Sequence, residues 1–165
     1  MAQSNPYSPK TMSYTIRIIN RQRRLSLDRG GVESLAGWVL GREGRREGEV
    51  SLVFLNDAGI RELNRRYLGR DYPTDVLSFP QNEGPAVPLH PWFLGDVVLS
   101  TGRVVRQAPD HGQSAEDELA LCLIHGVLHL LGYRDRPAGC RRKMSRREEQ
   151  LLRAWKRKKR WSLIN

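Results

Sequence analysis

Two histidines lie four residues apart in the apolar stretch LIHGVLHLLGYRD, residues 123–135. Because residues four apart share one face of an α-helix, the imidazoles of His125 and His129 can converge on one ion. Gly132 and Asp135 follow at a spacing that lets the chain turn back and offer a carboxylate. Two histidines and one carboxylate with an open fourth position are a ligand set of catalytic zinc sites. The spacing therefore predicts one zinc ion per chain, bound by His125, His129 and Asp135.

The same residues also have a purely structural interpretation. Both histidines would then be neutral and hydrogen-bonded inside the core, and Asp135 would only pair with Arg134 or Arg136. The glycine and the aspartate favour the metal site over this interpretation, but the spacing alone leaves both open.

Position 126 limits the reaction that such a site performs. Metalloproteases of the zincin type carry a glutamate directly after the first histidine, where it is the general base. Gly126 occupies that position here. Peptide hydrolysis is therefore disfavoured, because the proton acceptor of that mechanism is missing.

Short periodic segments predict the elements that position these residues. Alternating or continuous apolar runs predict strands at 14–19, 50–55, 75–79 and 94–100. Apolar residues at helical spacing predict helices at 28–40, 57–67, 101–108, 116–132 and 140–160, the third of them capped by Thr101. Four prolines within 80–92 predict an irregular loop. We expect one α+β domain in which a mixed sheet of about four strands packs against helices.

Length and composition agree with one domain. The chain has 165 residues, of which 39% are hydrophobic and 28% charged, which is ordinary for a globular protein. Residues 1–12 are polar and read as a flexible tail before a domain at 13–165. The longest apolar run carries two histidines and is too short to cross a membrane. Two cysteines make no disulfide framework, and we expect a cytoplasmic protein.

Most of the positive charge lies at the C-terminal end. The net charge is +10, and from Arg141 onward eleven Lys and Arg residues stand against two Glu, a local charge of +9. The block KRKKR at 156–160 lies between Trp155 and Trp161. Such a segment suits a polyanion, either a nucleic acid or an anionic surface, or it serves only as a solvated helix end.

Three blocks resemble one known family. The segments HGVLHLLGY (125–133), ELNRRYLGRDYPTDVLSFP (62–80) and LGDVVLS (94–100) are similar to the signatures of the YbeY family, bacterial endoribonucleases of rRNA maturation. The blocks occur in the family's order and span about residues 50–135.

The resemblance implies a fold, a metal and an activity. The fold is a mixed sheet of about four strands with a zincin-like core, and the metal is usually taken as zinc. The activity is metal-dependent cleavage of single-stranded RNA, in processing of the 3′ end of 16S rRNA and in ribosome quality control. The implied partner is RNA of the small ribosomal subunit, along whose backbone the basic C-terminal helix would lie. Trp155 or Trp161 would be available to stack on a base, although the helical position of Trp155 favours a place in the core.

The first departure from the family concerns the third metal ligand. The family signature ends Gly-Tyr-Asp-His with the final histidine as ligand, whereas Asp135 stands at that offset here, after Arg134. A carboxylate is an acceptable ligand, although its negative charge should weaken the pull of the ion on bound water. Three further residues are candidates for the third ligand, none at the family's spacing, namely His90, His111 and Cys140.

The second departure concerns the phosphate. The arginine that follows the family's tyrosine is replaced by Leu68, so Arg70, with Arg66, is predicted to bind the phosphate oxygens of the substrate. If neither arginine does so, the alternative is a non-catalytic RNA-binding ribosome assembly factor. A hydrolase of small molecules or peptides and a membrane-surface protein fit the sequence less well. The second block also contains three residues that would shape the site without touching the ion, namely Asp71, Thr74 and Asp75. For Thr74 and Asp75 the sequence favours a turn-making role after Pro73 over a catalytic one.

Overall fold

Four strands and five helices make up this computed structural model, as far as it describes the chain, which is residues 12–81, 92–158 and 162–165. The strands are β1 (Ser13–Asn20), β2 (Glu47–Leu55), β3 (Val76–Pro80) and β4 (Phe93–Ser100). The helices are α1 (Arg29–Arg42), α2 (Asp57–Leu68), α3 (Thr101–Asp110), α4 (Ala115–Leu130) and α5 (Ala138–Lys158). The predicted α+β domain with a four-stranded sheet is confirmed.

The sheet is mixed and has the strand order β1-β2-β4-β3. The pairs β1/β2 and β2/β4 are parallel, and β3 runs antiparallel to β4. Strand β3 is therefore an edge strand, and α4 packs beside it, since Ser78 Oγ donates a hydrogen bond to the carbonyl of Gly126 (3.2 Å). This contact fixes the histidine helix beside the sheet edge.

Apolar side chains cover both faces of the sheet because successive residues of a strand point to opposite sides. On β4, Val97 and Leu99 belong to the main core, whereas Val98 joins a smaller cluster with Ile60 and Leu77. The main core is closed by α1, α4 and α5, and α2 covers the smaller cluster. Two covered faces explain why the β2 and β4 segments read as nearly continuous apolar runs.

Helix α5 is part of the core and not an appended tail. Met144, Leu151 and Trp155 are buried, and the Trp155 ring packs against Trp38 with centroids 5.4 Å apart. Trp155 is therefore not free to stack on a base, and Trp161 lies outside the described residues. No helix in the described part of the chain is long and apolar enough to cross a membrane.

Helix boundaries differ from the sequence expectation in one informative case. Ser100, not Thr101, caps α3, since its hydroxyl accepts from the backbone N–H of Arg103 at 3.3 Å. Thr101 is fully buried, and its hydroxyl donates to Gln22 Oε1 at 2.9 Å. The Thr101 hydroxyl is thus bound by a residue far away in the sequence, and it does not cap the helix as the local pattern predicts. The predicted N-terminal tail and most of the predicted loop at 80–92 lie outside the described residues.

Gly126 lies where α4 packs directly against β4. A Cβ atom at this position would lie 2.3 Å from Val97 Cγ1 and 3.3 Å from Val76 Cγ2. The glutamate of the zincin pattern is therefore excluded sterically, because a side chain at position 126 would enter the sheet and not the histidine face.

We expect Gly126→Ala to lower the free energy of unfolding by about 1–3 kcal/mol, since the added methyl overpacks the contact with β4. The matched control is Gly139→Ala in α5, where the nearest atom to an added Cβ is 4.0 Å away. That variant should be neutral or slightly more stable, because alanine is the better helix former. Urea unfolding measures both, and equal stabilities of the two variants would contradict the steric explanation.

Candidate active site

A cleft of about 820 Å³ opens beside the histidine helix. Its walls are the end of α2, the connection to β3, β3 itself and α4, and α5 contributes Glu148. Of the residues predicted for the site, His125, His129, Asp135 and Arg70 line this cleft, and Arg66 does not. Sequence positions far apart are thus brought to one concave surface.

One side of α4 supplies four of the titratable groups of the cleft. Glu118, Cys122, His125 and His129 follow each other at spacings of four, three and four residues, which aligns them along the helix. This stripe lies beside the face that Gly126 presses onto the sheet. The packing of α4 therefore sets the direction in which both imidazoles point.

His129 is held by the turn that ends α4. Gly132 adopts a positive φ of 93°, and the turn places the carbonyl oxygen of Tyr133 3.0 Å from His129 Nδ1. A carbonyl only accepts, so Nδ1 carries the hydrogen and Nε2 carries a lone pair. Burial, and then the charge of His125, lower the pKa of His129 against the opposing effect of Asp135. The ring is therefore kept in the neutral form that binds metals.

His125 is oriented by a carboxylate from α5. Glu148 Oε1 lies 2.7 Å from His125 Nδ1, and the Glu148 side chain is only 14% exposed. A carboxylate that accepts from Nδ1 fixes the imidazole tautomer. Nε2 then carries no hydrogen, and its lone pair is available to bind a metal ion. A carboxylate behind a histidine is the usual arrangement around protein zinc sites.

The two Nε2 atoms face each other at 3.0 Å. With both Nδ1 hydrogens committed, neutral rings direct two lone pairs at one another, and such a contact is favourable only with a cation or proton between them. Nitrogen ligands of a tetrahedral zinc ion lie about 3.3 Å apart, from bond lengths of about 2.0–2.1 Å. The donor set and its spacing thus fit a metal ion.

Asp135 lines the cleft without closing on the histidines. Its side chain is exposed and forms no ion pair with Arg134 or Arg136 among the described residues, and its carbonyl accepts from Arg141 Nε at 3.3 Å. The described residues bring three potential metal ligands within 4.8 Å in one group, and Asp135 is not in it. The carboxylate would have to turn inward to complete the predicted site.

That compact group of potential ligands is Asp75, Glu118 and Cys122. One oxygen of Asp75 accepts from the Val76 backbone N–H at 2.9 Å, which is a turn-making role, and the other lies 3.9 Å from Cys122 Sγ. Burial, and then the charges of Asp75 and Glu118, raise the pKa of the Cys122 thiol. The thiol therefore stays protonated and is no nucleophile.

His111, one of the candidates for the third ligand, instead pairs with Glu118. Its Nδ1 lies 3.0 Å from Glu118 Oε2, and the carboxylate is almost fully buried whereas the imidazole is half exposed. The hydrogen bond and charge of Glu118 raise the pKa of His111. Cys140 is exposed outside the cleft lining, and His90 lies outside the described residues. Neither His111 nor Cys140 therefore takes the place predicted for Asp135.

The arginines near the end of α2 divide into two pairs. Arg61 binds Asp71 with both a 2.8 Å and a 3.0 Å hydrogen bond, and Arg65 pairs with Glu62. Arg66 and Arg70 form no salt bridge within the described part of the chain. Arg70 lines the cleft, and the guanidinium of Arg66 lies over the Tyr67 ring, 5.8 Å from its centroid. Leu68, the departure from the family pattern, lines the cleft beside them and is 51% exposed.

Sequence reasoning missed two carboxylates of the site. Glu148 lies in a strongly basic segment, 23 residues after His125, and no periodicity connects the two positions. Glu118 was readable in principle, because it precedes His125 by seven residues and so shares its helix face. The position of a carboxylate on the same helix face as a cysteine and two histidines indicates that it belongs to the same site.

The fold and cleft define an α+β protein in which a helix packed on a mixed sheet presents paired imidazoles to an open cleft. A family model described as Endoribonuclease YbeY matches residues 17–156. The chain belongs to this family.

Individual relatives agree with the family match. The endoribonuclease YbeY of Syntrophotalea carbinolica is 41% identical over 140 residues, covering 83% of this chain and 93% of the relative. That of Pelotomaculum thermopropionicum is 44% identical over 145 residues, covering 83% and 94%. The solution structure of TM1509 from Thermotoga maritima superposes with a TM-score of 0.57 at 24% identity, covering 88% of this chain and 94% of that one. This last similarity supports the fold.

The His111–Glu118 pair should stabilise the fold only in acid. A histidine pKa raised by folding contributes stability below its ordinary value of 6.5, and the contribution is lost as the pH rises through the raised value. His111→Gln, which keeps a donor but not the charge, should lower the melting temperature by about 1–2 °C at pH 5.5 and not at pH 8.5. An equal effect at both values of pH would contradict the charge assignment.

Proposed function

We propose that this protein is a zinc-dependent endoribonuclease that cleaves single-stranded RNA in the maturation of rRNA. The observation that carries the proposal is the pair of Nε2 atoms 3.0 Å apart in the cleft, each on a ring whose Nδ1 is already bonded. Family membership supplies the reaction class, since the relatives are named endoribonucleases.

His125, His129 and Asp135 would hold the zinc ion. A zinc ion there supplies Lewis-acid charge at the scissile phosphate and lowers the pKa of bound water. Glu148 and the Tyr133 carbonyl keep both imidazoles oriented with Nε2 toward the cleft. The exposed Asp135 side chain has no competing ion pair to break, among the residues described, before it turns inward.

The phosphate would be bound by arginines that the fold leaves without a carboxylate partner among the described residues. Arg70 lines the cleft and offers a planar donor fork for two phosphate oxygens. Arg66 lies just outside and would neutralise a neighbouring phosphate. In the cleavage step water would add to phosphorus and give up a proton, the bond to the leaving ribose oxygen would break, and that oxygen would take up the proton. Leu68 removes one cation that the family pattern supplies, so Arg70 carries more of this task.

The rest of the RNA would lie along α5. Arg142, Arg146, Arg153 and Arg157 are exposed and lie on one side of the helix, away from Glu148. Three of them line a groove of about 410 Å³ together with Arg42. Such a row binds phosphates without reading sequence, which suits rRNA of the small ribosomal subunit in the cytoplasm.

Metal content of the purified protein tests the proposal first. Wild-type protein should carry about one zinc per chain by mass spectrometry, and both His129→Ala and Asp135→Ala should lose it. Cys122→Ser is the matched control and should keep the ion, because the thiol belongs to the neighbouring Asp75 group. Wild-type protein should cleave a single-stranded RNA, and His129→Ala should not.

Two contrary outcomes have distinct meanings. Zinc kept by Asp135→Ala but lost by Cys122→Ser would move the ion to Asp75, Glu118 and Cys122. Wild-type protein that binds RNA but does not cleave it when loaded with zinc would favour the non-catalytic assembly factor instead.

The arginine row on α5 predicts a change in salt dependence. Replacing Arg142, Arg146, Arg153 and Arg157 by Gln should weaken RNA binding and flatten the slope of log K against log salt by about 2–3. The control is Arg23→Gln with Arg24→Gln, two arginines in the loop after β1. A slope unchanged from wild type would remove α5 from the RNA path.

A further inference from the structure

Exposed apolar side chains are concentrated at one place on the rim of the cleft. Of six large exposed hydrophobic residues in the described chain, three, Tyr67, Leu68 and Tyr72, line this cleft. Tyr67 is 59% exposed and Tyr72 is 53% exposed, and Phe79 of β3 lines the same wall. Scattered exposed hydrophobics need no explanation, but a group of rings inside a binding cleft indicates a ligand with apolar faces.

The surrounding chain fixes the ring of Tyr67 and the backbone of Tyr72. Tyr67 packs edge-on against Phe79, with centroids 5.3 Å apart. Tyr72 is anchored through its backbone, because the buried Asn64 donates from Nδ2 to the Tyr72 carbonyl at 2.8 Å. The intervening turn begins at Gly69, whose φ of 67° ends α2. The Tyr67 ring therefore loses little conformational freedom when it binds a ligand, and the Tyr72 side chain extends from a fixed backbone position.

The charges beside the rings specify what that ligand carries. Arg66 lies over the ring of Tyr67. Arg70, which falls between Tyr67 and Tyr72 in the sequence, lines the same cleft. Neither guanidinium has a carboxylate partner among the residues the structure describes. A ligand that matches this surface has flat apolar faces joined to anionic groups at short intervals. Unpaired nucleotides have this composition, whereas a duplex hides the faces of its bases.

We infer that Tyr67, Tyr72 and Phe79 form an aromatic shelf that stacks unpaired bases of the RNA next to the cleavage site. The inference rests on the proposed function and adds a binding subsite to it. Arg66 and Arg70 hold the phosphates that connect the stacked bases. The shelf thereby makes single-stranded RNA the preferred substrate, because a paired base has no free face to offer the rings.

Fluorescence anisotropy with labelled RNA tests the shelf. The probes are a single-stranded oligomer of about 12 nucleotides and the same oligomer with abasic riboses at its centre, titrated in the cold and checked on gels for intactness. Tyr67→Leu and Tyr72→Leu should each raise the Kd for the intact oligomer by about 5- to 30-fold. For the abasic oligomer the same variants should change the Kd by less than about 2-fold, since no stacked base is left to lose.

Ring-preserving variants are the matched controls. Tyr67→Phe and Tyr72→Phe keep the stacking surface and should bind the intact oligomer within about 2-fold of wild type. The shelf is rejected if the leucine variants bind the intact oligomer like wild type, or lose affinity equally for both oligomers. A change in sedimentation of the leucine variants, without a change in RNA affinity, would assign the rings to contact with a second copy of the chain.

Failure of the shelf and failure of the proposed function give different results. Wild-type protein that cleaves RNA with a Kd insensitive to the rings rejects only the shelf. Wild-type protein that neither binds nor cleaves RNA when loaded with zinc rejects the nuclease and the shelf with it.

Discussion

The close approach of α4 to the sheet is the constraint on which the rest of the site depends. Only a glycine fits at position 126, because a Cβ atom there would meet Val97 of β4 at 2.3 Å. With that face of α4 against the sheet, the neighbouring stripe from Glu118 to His129 must face the cleft. The same contact removes the position at which zincin peptidases place their general base. One residue thus sets the packing of α4 and excludes a general base of the zincin type at position 126.

The polar groups of α4 are stabilised by partners outside the helix. Glu118 is buried beside His111 at the end of α3, and His125 is paired with Glu148 of α5. His129 donates to the turn that follows its own helix. Each imidazole in this row therefore has a fixed orientation, and the lone pairs that remain are the two that face each other. A cleft organised in this way needs little rearrangement to bind a cation.

Local sequence patterns predicted the elements well and the partners of the site poorly. The alternation in β1, the apolar runs of β2 and β4 and the helical spacing around His125 depend on short-range order, and all lie where expected. Glu148 and the burial of Thr101 depend on which helices pack together, and no short window contains that information. The sequence alone does not show that Arg61 and Arg65 are paired with carboxylates of the described chain whereas Arg66 and Arg70 are not, because the fold decides which carboxylate each arginine meets.

The C-terminal helix illustrates how one segment serves packing and recognition at once. Met144, Leu151 and Trp155 close the main core, and Glu148 reaches the cleft between them. Two of its cations are used inside the fold, since Arg147 pairs with Glu43 and Lys156 with Asp117. The arginines on its outer side lie on the same rigid helix as Glu148, so a polyanion bound along them is held at a fixed position relative to the histidines. The basic charge of the chain is therefore coupled to the geometry of the site through a single helix.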